Sequence, residues 1–144
     1  SEIDNIVAVK EASGDMIQVD LLIRKIRKIR PDFRIFSGND DQAFHLVCSG
    51  GDGVISVLSN VMPAETSAMI NATLEGDIKR GRELHMELFP LMRDLFVETN
   101  PIPVKYAVSR LGFCENILRL PLVPASGTAM EKIETAMTEC GVSR

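Results

Sequence analysis

The chain has 144 residues, of which 45% are hydrophobic and 25% charged, a composition typical of a globular protein with a real core. Its formal net charge of −4 argues against nucleic acid as the main partner, and no apolar run approaches the roughly 18 residues of a membrane helix. Nothing at the start resembles a signal peptide, and three widely spaced cysteines favour reduced thiols in the cytosol over a disulfide framework or a zinc site.

Three short apolar segments predict β-strands, at Ile6–Lys10, Arg34–Ser37 and Gly53–Val57. Each segment is mainly a run of consecutive apolar residues and does not alternate between apolar and polar positions. Such runs are typical of parallel strands that are buried on both faces. Helical patterns follow each strand, so the predicted order is β-α-β-α-β-α with right-handed parallel crossovers.

The first predicted helix covers Met16–Arg30, with Asp15 as its N-cap. Its basic residues are interpreted as a solvated face rather than a nucleic-acid site. Its apolar stripe is predicted to consist of Ile17, Leu21, Leu22, Ile26 and Ile29. Asp40 or Asp41 can begin a second, short helix that ends at Cys48.

Only helices are predicted after Val57. Pro63 fits the first turn of the first of them, Pro90 is expected to kink the second, and Asn100 is expected to cap the third. The first of these helices is predicted to run to about Leu74, and the second, after a break at Gly76–Asp77, to about Phe96. The third is predicted to end at Gly112, and the last to be capped near Ser126 and stopped by Gly141.

Three parallel strands cannot close on themselves, and the outer two would present unpaired edges. Two architectures fit: a doubly wound sheet, for which three strands are few, or a slice of a (β/α)8 TIM barrel with a helical extension. The second predicts a partial barrel of three βα units over residues 1–75 and a C-terminal helical domain over residues 76–144. The chain also opens without Met and enters a strand at Ile6, which favours a truncated product.

Lys10 is the strongest candidate for chemistry, because the active sites of barrel enzymes lie at the C-terminal ends of the strands. A lysine there can attack a carbonyl if its pKa falls from about 10.4 to about 7–8. That shift represents roughly 4 kcal/mol and requires a desolvated or cation-rich pocket. The alternative interpretation is a solvated lysine at a strand end.

Other polar positions have structural interpretations beside functional ones. Gly38 and the cluster at Gly50–Gly53 are either turn glycines or places where a ligand approaches the backbone closely. Asp40 and Asp41 are interpreted as helix caps rather than an acid/base pair. A structural, surface or interface role is expected for His45, His85, Lys105 and Tyr106.

Several segments in order resemble the dihydrodipicolinate synthase family of pyruvate-dependent class I aldolases. Asn5–Asp15 looks like that family's Schiff-base strand. Any one of these motifs alone would be weak evidence for the family, and it is their combination in order that carries the resemblance. The other segments that carry the resemblance are Phe36–Asp40, Gly50–Val57 with Ser59–Val61, Asn100–Lys105 and the tail at Leu118–Leu122.

The resemblance implies that these are the last three strands of a TIM barrel and that Lys10 forms a Schiff base with pyruvate. The resulting enamine would attack aspartate semialdehyde in cytoplasmic lysine biosynthesis by the diaminopimelate route, with neither a metal nor an organic cofactor. By the same resemblance, Gly38 and Ile55 would line the pyruvate pocket, and Asn39 and Asp40 would lie near the second substrate. Members of the family are commonly homotetramers.

The family's first five strands have no counterpart in this chain, and they carry its proton relay, its entrance arginine and its lysine-inhibition site. Tyr106 is the only tyrosine and does not match the relay position, so we expect this chain alone to be inactive or severely impaired. Two alternatives remain open. One is another pyruvate-dependent aldolase, such as N-acetylneuraminate lyase or a keto-deoxy-sugar aldolase. The other is a non-catalytic half-barrel that associates through its exposed strand edges.

Overall fold

A computed structural model describes residues 3–142 as an α/β portion followed by helices, which confirms the predicted fold class. The α/β portion consists of β1 (Ala8–Glu11), α1 (Met16–Ile29), β2 (Arg34–Ser37), α2 (Asp40–Cys48) and β3 (Gly53–Val54). A 3-10 turn at Leu58–Asn60 follows, and then come α3 (Pro63–Leu74), α4 (Ile78–Asp94), α5 (Ile102–Arg110) and α6 (Gly127–Glu139).

The three strands form one parallel sheet in the order β1-β2-β3, which confirms the predicted parallel arrangement. Two rows of paired residues cross all three strands: Lys10–Phe36–Gly53 and Glu11–Ser37–Val54. Because side chains alternate along a strand, residues in one row point to the same face of the sheet and the two rows point to opposite faces.

α1 packs through a stripe that overlaps the predicted one only in part: Ile26 and Leu22 lie in or against the core as predicted. Ile17, Leu21 and Ile29 are 72%, 60% and 57% exposed, so the prediction that they belong to the packed face was wrong. The helix carries two apolar stripes, and the one with spacing i, i+4, i+7 contacts the sheet. The core cluster consists of Val19, Ile23 and Ile26 of α1 with Phe33, Ile35 and Leu46.

Side-chain caps begin two of the helices as predicted. Asp15 accepts hydrogen bonds from the backbone N–H groups of Ile17 and Gln18, at 2.9 and 3.3 Å. Ser126 accepts one from Ala129 at 3.2 Å. The prediction for α5 was wrong, since Pro101 occupies the cap position and no side chain forms a capping bond there.

The chain groups into two compact units that interleave along the sequence. The first contains the residues up to Ser56 together with Ala68–Arg82, and the second contains Val57–Ser67 together with the residues from Glu83 onward. The single boundary after residue 75 stays a prediction. In the second unit, Ile102, Ala125 and Ala129 form a core cluster, against which the half-buried Tyr106 packs.

Two features of the helical region bear on the sequence predictions. α4 runs from Ile78 to Asp94 with Pro90 inside it. Tyr106 donates a hydrogen bond from its hydroxyl to Glu134 Oε1 at 2.7 Å, which gives the tyrosine a structural role between α5 and α6. Among the described residues, no helix is both long and apolar enough to cross a membrane.

Candidate active site

Lys10 lies near the C-terminal end of β1, on the face of the sheet opposite to α1. Its neighbour Val9 packs against the core beneath α1, so strand alternation turns Lys10 to the other face. The lysine is exposed to solvent, and no carboxylate in residues 3–142 forms an ion pair with it. Its side chain crosses the backbone just beyond the end of β2, towards the tips of the strands.

Three of the predicted site residues share one face at these tips. The backbone N–H of Gly38 donates to Glu11 O, and that of Ile55 donates to Ser37 O at 2.8 Å, so the parallel register continues beyond the paired rows. The row after Glu11–Ser37–Val54 therefore contains Gly38 and Ile55, on the same face as Lys10. Ile55 is 48% exposed there. Neighbouring strands lie about 4.8 Å apart, so the three positions span the width of a small molecule.

Gly38 is a point of close approach and not a turn glycine. Its φ lies outside the left-handed region. A β-carbon at this position would lie 2.5 Å from Ala12 Cβ and 2.8 Å from Lys10 Cε, closer than real side-chain carbons approach each other. From the sequence, either a turn or a ligand approach could explain a glycine here, but its immediate reason is the path of the Lys10 and Ala12 side chains.

The glycine cluster before β3 divides into two kinds of position. Gly50 and Gly53 have φ values of +103° and +146°, a backbone conformation that side chains disfavour, so the structural interpretation holds for them. Gly51 is required for space, since a β-carbon there would lie 2.0 Å from Leu46 Cδ2 in the core.

Asn39 and Asp40 begin α2, but neither acts as a side-chain cap. Asn39 occupies the cap position without a capping bond, and its amide donates to Gln42 Oε1 at 3.2 Å. Asp40 is the first helical residue and only 1% exposed, so the prediction that it caps the helix was wrong. Asp40 and Asp41 remain in the first turn, where the helix dipole favours acidic residues.

Glu11 was not identified from the sequence. It is 7% exposed, and its Oε1 accepts hydrogen bonds from Ser13 N at 3.0 Å and from Gln18 Nε2 at 2.9 Å. The carboxylate thereby fixes the loop that follows Lys10 to the first turns of α1. The available signal was an acidic residue directly after a strand and seven positions before a glutamine, which is too common a pattern to be specific.

Asp52 is a second residue that the sequence did not single out. It accepts from Arg27 at 2.6 Å, from Arg34 at 2.8 Å and from the backbone N–H of Ile35 at 2.7 Å. Burial raises the pKa of the Asp52 carboxyl, but the hydrogen bonds from Arg34, Ile35 and Arg27 outweigh burial and hold the pKa below its ordinary value. This carboxylate fixes the start of β3 to β2 and α1.

Cys48, Cys114 and Cys140 are free thiols. Across residues 3–142, no group of three or more His, Cys, Asp or Glu side chains is arranged to bind a metal ion. The site at the strand tips therefore consists of one amine, a bare stretch of backbone and an apolar side chain, with a polar helix start beside it.

Comparison with known proteins identifies the family. The model of the dihydrodipicolinate synthetase family matches residues 1–140. The chain is 62% identical over 144 residues to the 4-hydroxy-tetrahydrodipicolinate synthase of Kosmotoga olearia, of which it covers 49%. It thus spans about half the length of the curated relatives it matches.

Solved structures agree with the sequence comparison and with a partial barrel. A dihydrodipicolinate synthase from Thermotoga maritima superposes with a TM-score of 0.96 at 47% identity, over 99% of this chain and 48% of that one. The chloride-inhibited enzyme from Acinetobacter baumannii, complexed with pyruvate, superposes with a TM-score of 0.91 at 33% identity, over 99% and 48% of the two chains. The chain therefore belongs to the dihydrodipicolinate synthetase family.

Proposed function

We propose that this chain supplies the Schiff-base half of a 4-hydroxy-tetrahydrodipicolinate synthase, a lyase of cytoplasmic lysine biosynthesis. The observation that carries the proposal is the convergence of Lys10, Gly38 and Ile55 on one face at the tips of three parallel strands. This is the end of a barrel at which active sites form.

The chemistry proposed for Lys10 is the condensation of its side-chain amine with the keto group of a keto acid. The nitrogen of Lys10 attacks the keto carbon of pyruvate, and loss of water gives an imine that acts as the electron sink. Loss of a methyl proton converts the imine to an enamine, whose carbon attacks the aldehyde of aspartate semialdehyde. The amino group of the former semialdehyde then attacks the imine carbon and displaces the lysine nitrogen. This step closes the ring, keeps the new hydroxyl group and releases the amine, so the cycle needs neither a metal nor an organic cofactor.

The surroundings of Lys10 support pyruvate as the first substrate. Because position 38 carries no side chain, Lys10 can cross the backbone there and direct its amine towards the strand tips, where we place the keto acid. Ile55 offers an apolar contact for the methyl group. The related enzyme from Acinetobacter baumannii has been solved with pyruvate, which makes this keto acid the first one to test.

We place the aldehyde substrate near the start of α2. Asn39 is partly exposed, and reorientation of its amide away from Gln42 would make it available to a ligand. Asp40 is almost fully buried, so we propose that it lies near this substrate without contacting it.

We further propose that this chain alone is inactive or severely impaired. Nucleophilic lysines act in sites that exclude water, whereas Lys10 is open to solvent in the three-stranded sheet. The proton transfers also need a relay, and Tyr106 is engaged with Glu134. Additional barrel strands would supply both the cover and the relay.

The test is reductive trapping with pyruvate and sodium borohydride, followed by peptide mapping. It would be performed on this chain joined to the N-terminal half of the Kosmotoga olearia relative, with this chain alone in parallel. We expect an adduct at Lys10 in the joined protein and little or none in the chain alone.

Two variants serve as a matched pair, and both keep the positive charge. Lys10→Arg removes the proposed nucleophile, and Lys25→Arg changes an exposed lysine on α1. Loss of the adduct in the first variant and its retention in the second would support the proposal. An adduct at another lysine, or none in a folded joined protein, would refute the role of Lys10.

Competition between aspartate semialdehyde and sugar aldehydes as acceptors separates the synthase from the other aldolases of the superfamily. A preference for a sugar would overturn the proposed second substrate.

We also propose that the chain forms homo-oligomers, because β1 and β3 each keep one unpaired edge among the described strands. Sedimentation of a stable, dilute monomer would contradict this.

A further inference from the structure

A cavity in the second compact unit shares no residue with the site at the strand tips. Its volume is about 330 Å³, which lies within the range of small-molecule pockets. The residues that matter for its chemistry are Asn60, Asn100, Val104, Lys105, Val108 and Cys114. No aspartate or glutamate lines it.

The polar side of this cavity favours an anion. Lys105 is half-buried, and no carboxylate in residues 3–142 forms an ion pair with it. The side chain of Asn100 makes no hydrogen bond within the described chain, and Asn60 uses one amide hydrogen on Val57 O at 2.9 Å. Three nitrogen donors thus line one cavity, with capacity left for a ligand.

The position of Lys105 in α5 strengthens this interpretation. It is the fourth residue of the helix, where the partial positive charge of the first turn disfavours a cation. An anion in the cavity would offset the positive charge of Lys105 and the partial positive charge of the first turn of α5. It would also accept charge-assisted hydrogen bonds from the ammonium group.

The remaining wall of the cavity is apolar. Val104 and Val108 are one helical turn apart on α5 and line the cavity together with Pro101. A fully hydrated inorganic ion would leave this wall unused. An acid with a short hydrocarbon body would cover the wall while its charged group meets Lys105.

We propose that this cavity binds a small aliphatic carboxylate through Lys105, Asn60 and Asn100. Cys114 lines the same cavity, so an occupant shields its thiol from a neutral alkylating reagent. Cys48 is exposed and lies outside the cavity, which makes it an internal reference.

The experiment measures alkylation of the 144-residue chain by iodoacetamide, read by mass spectrometry for each cysteine. The probes are butyrate, uncharged butyramide, inorganic phosphate and sodium chloride at equal ionic strength. We expect butyrate to slow modification of Cys114 but not of Cys48, and the other three additions to have little effect.

The matched variants are Lys105→Gln, Lys105→Arg and Lys132→Gln, the last at an exposed lysine of α6. We expect Lys105→Gln to raise the butyrate concentration for half-protection by about tenfold or more, as for loss of a hydrogen bond to a charged group. Lys105→Arg should retain most of the protection, and Lys132→Gln all of it.

Three outcomes would overturn the proposal. The first is that butyrate leaves Cys114 reactivity unchanged. The second is that butyrate protects the Lys105→Gln variant as well as the original chain, which would remove the lysine from the site. Equal protection by butyramide or phosphate would rule out the aliphatic carboxylate as the ligand class. Since no readout depends on the Schiff-base reaction, failure here leaves the role of Lys10 untouched.

Discussion

The side chain of Lys10 crosses the backbone at Gly38 so closely that a β-carbon on residue 38 would lie 2.8 Å from Lys10 Cε. The two residues lie at neighbouring strand ends, two rows apart in the parallel register and therefore on the same face of the sheet. The direction of the proposed nucleophile therefore depends on the absence of a side chain in the adjacent strand.

Gly38→Ala should disturb the site without a change in polarity. The added carbon would meet Ala12 Cβ at 2.5 Å as well as Lys10 Cε, and we expect a loss of about 1–3 kcal/mol in the free energy of unfolding, as for other overpacked positions. Displacement of Lys10 should also reduce reductive trapping of pyruvate in the joined protein. Urea denaturation and the trapping yield give the two measurements.

Gly127→Ala is the matched control for this substitution. Gly127 begins α6, its φ is not in the left-handed region, and an added β-carbon would have no atom within 4 Å. We expect unchanged or slightly increased stability, since alanine favours helix more than glycine does. Equal losses from both substitutions would contradict the role assigned to position 38.

Asp52→Asn should lower stability by weakening three bonds at once. The side chain of Asp52 is 11% exposed and binds Arg27, Arg34 and the backbone of Ile35. We expect a loss of about 1–3 kcal/mol near neutral pH, measured by chemical denaturation. Asp32→Asn is the control: Asp32 pairs only with Arg30 in the described chain and is 70% exposed, so its loss should be smaller.

The same carboxylate predicts how stability depends on pH. The pKa of Asp52 is lower in the folded chain than its ordinary value of about 4 in the unfolded chain. Its stabilising contribution is therefore fully present above the unfolded pKa and is lost as the pH falls through the lower, folded pKa. Between pH 6 and pH 3, roughly the range that spans this titration, Asp52→Asn should show a shallower decline in stability than the original chain.

Glu11→Ala should loosen the loop after Lys10. The substitution removes the acceptor for Ser13 N and Gln18 Nε2, and leaving these donors without a partner should cost about 1–3 kcal/mol of stability. Hydrogen exchange at the Ser13 amide should become faster. Glu11→Gln keeps an acceptor oxygen and should restore most of the protection; if it behaves like alanine, the negative charge and not the hydrogen bonding is what matters.

Ile133→Ala tests the core of the second unit. Ile133 is 0% exposed in α6, and truncation of such a residue should cost about 2–5 kcal/mol. Ile117→Ala, at a residue that is 67% exposed, should change stability by no more than about 0.5 kcal/mol. Thermal denaturation of the two variants provides the comparison, and similar values would contradict the assigned core.

The sequence was sufficient to locate every strand but not to set their lengths. β1 begins at Ala8 rather than Ile6, because its paired register with β2 starts at Arg34. β3 was predicted to reach Val57 but covers only Gly53–Val54, and the single backbone bond from Ile55 N to Ser37 O is the last one that continues its register with β2. A run of hydrophobic residues indicates that a segment is buried. The length of a strand depends instead on how far its backbone pairs with the adjacent strand, which the local sequence pattern does not specify.

The same limit explains which site residues could be predicted. Lys10 stood out because a charged residue ends an apolar run, whereas the predicted place of Gly38 and Ile55 in a pyruvate pocket came from the family resemblance. Glu11 and Asp52 were missed because their partners are distant in sequence or are backbone groups. The choice between two apolar stripes on α1 likewise depended on which one meets the sheet.

Asp52 connects pieces of chain that lie 25, 18 and 17 positions away from it. Separations of this length mean that loop-closure entropy must be overcome before any of the three bonds can form. A lone helix therefore gains nothing from this carboxylate, and the β2–β3 pair alone gains only the bonds to Arg34 and Ile35. The full benefit arrives only when α1 is in place as well. A junction of this kind stabilises the fully assembled strands and helix more than any partly folded form. It therefore favours cooperative, all-or-none folding of the segments beneath the strand tips.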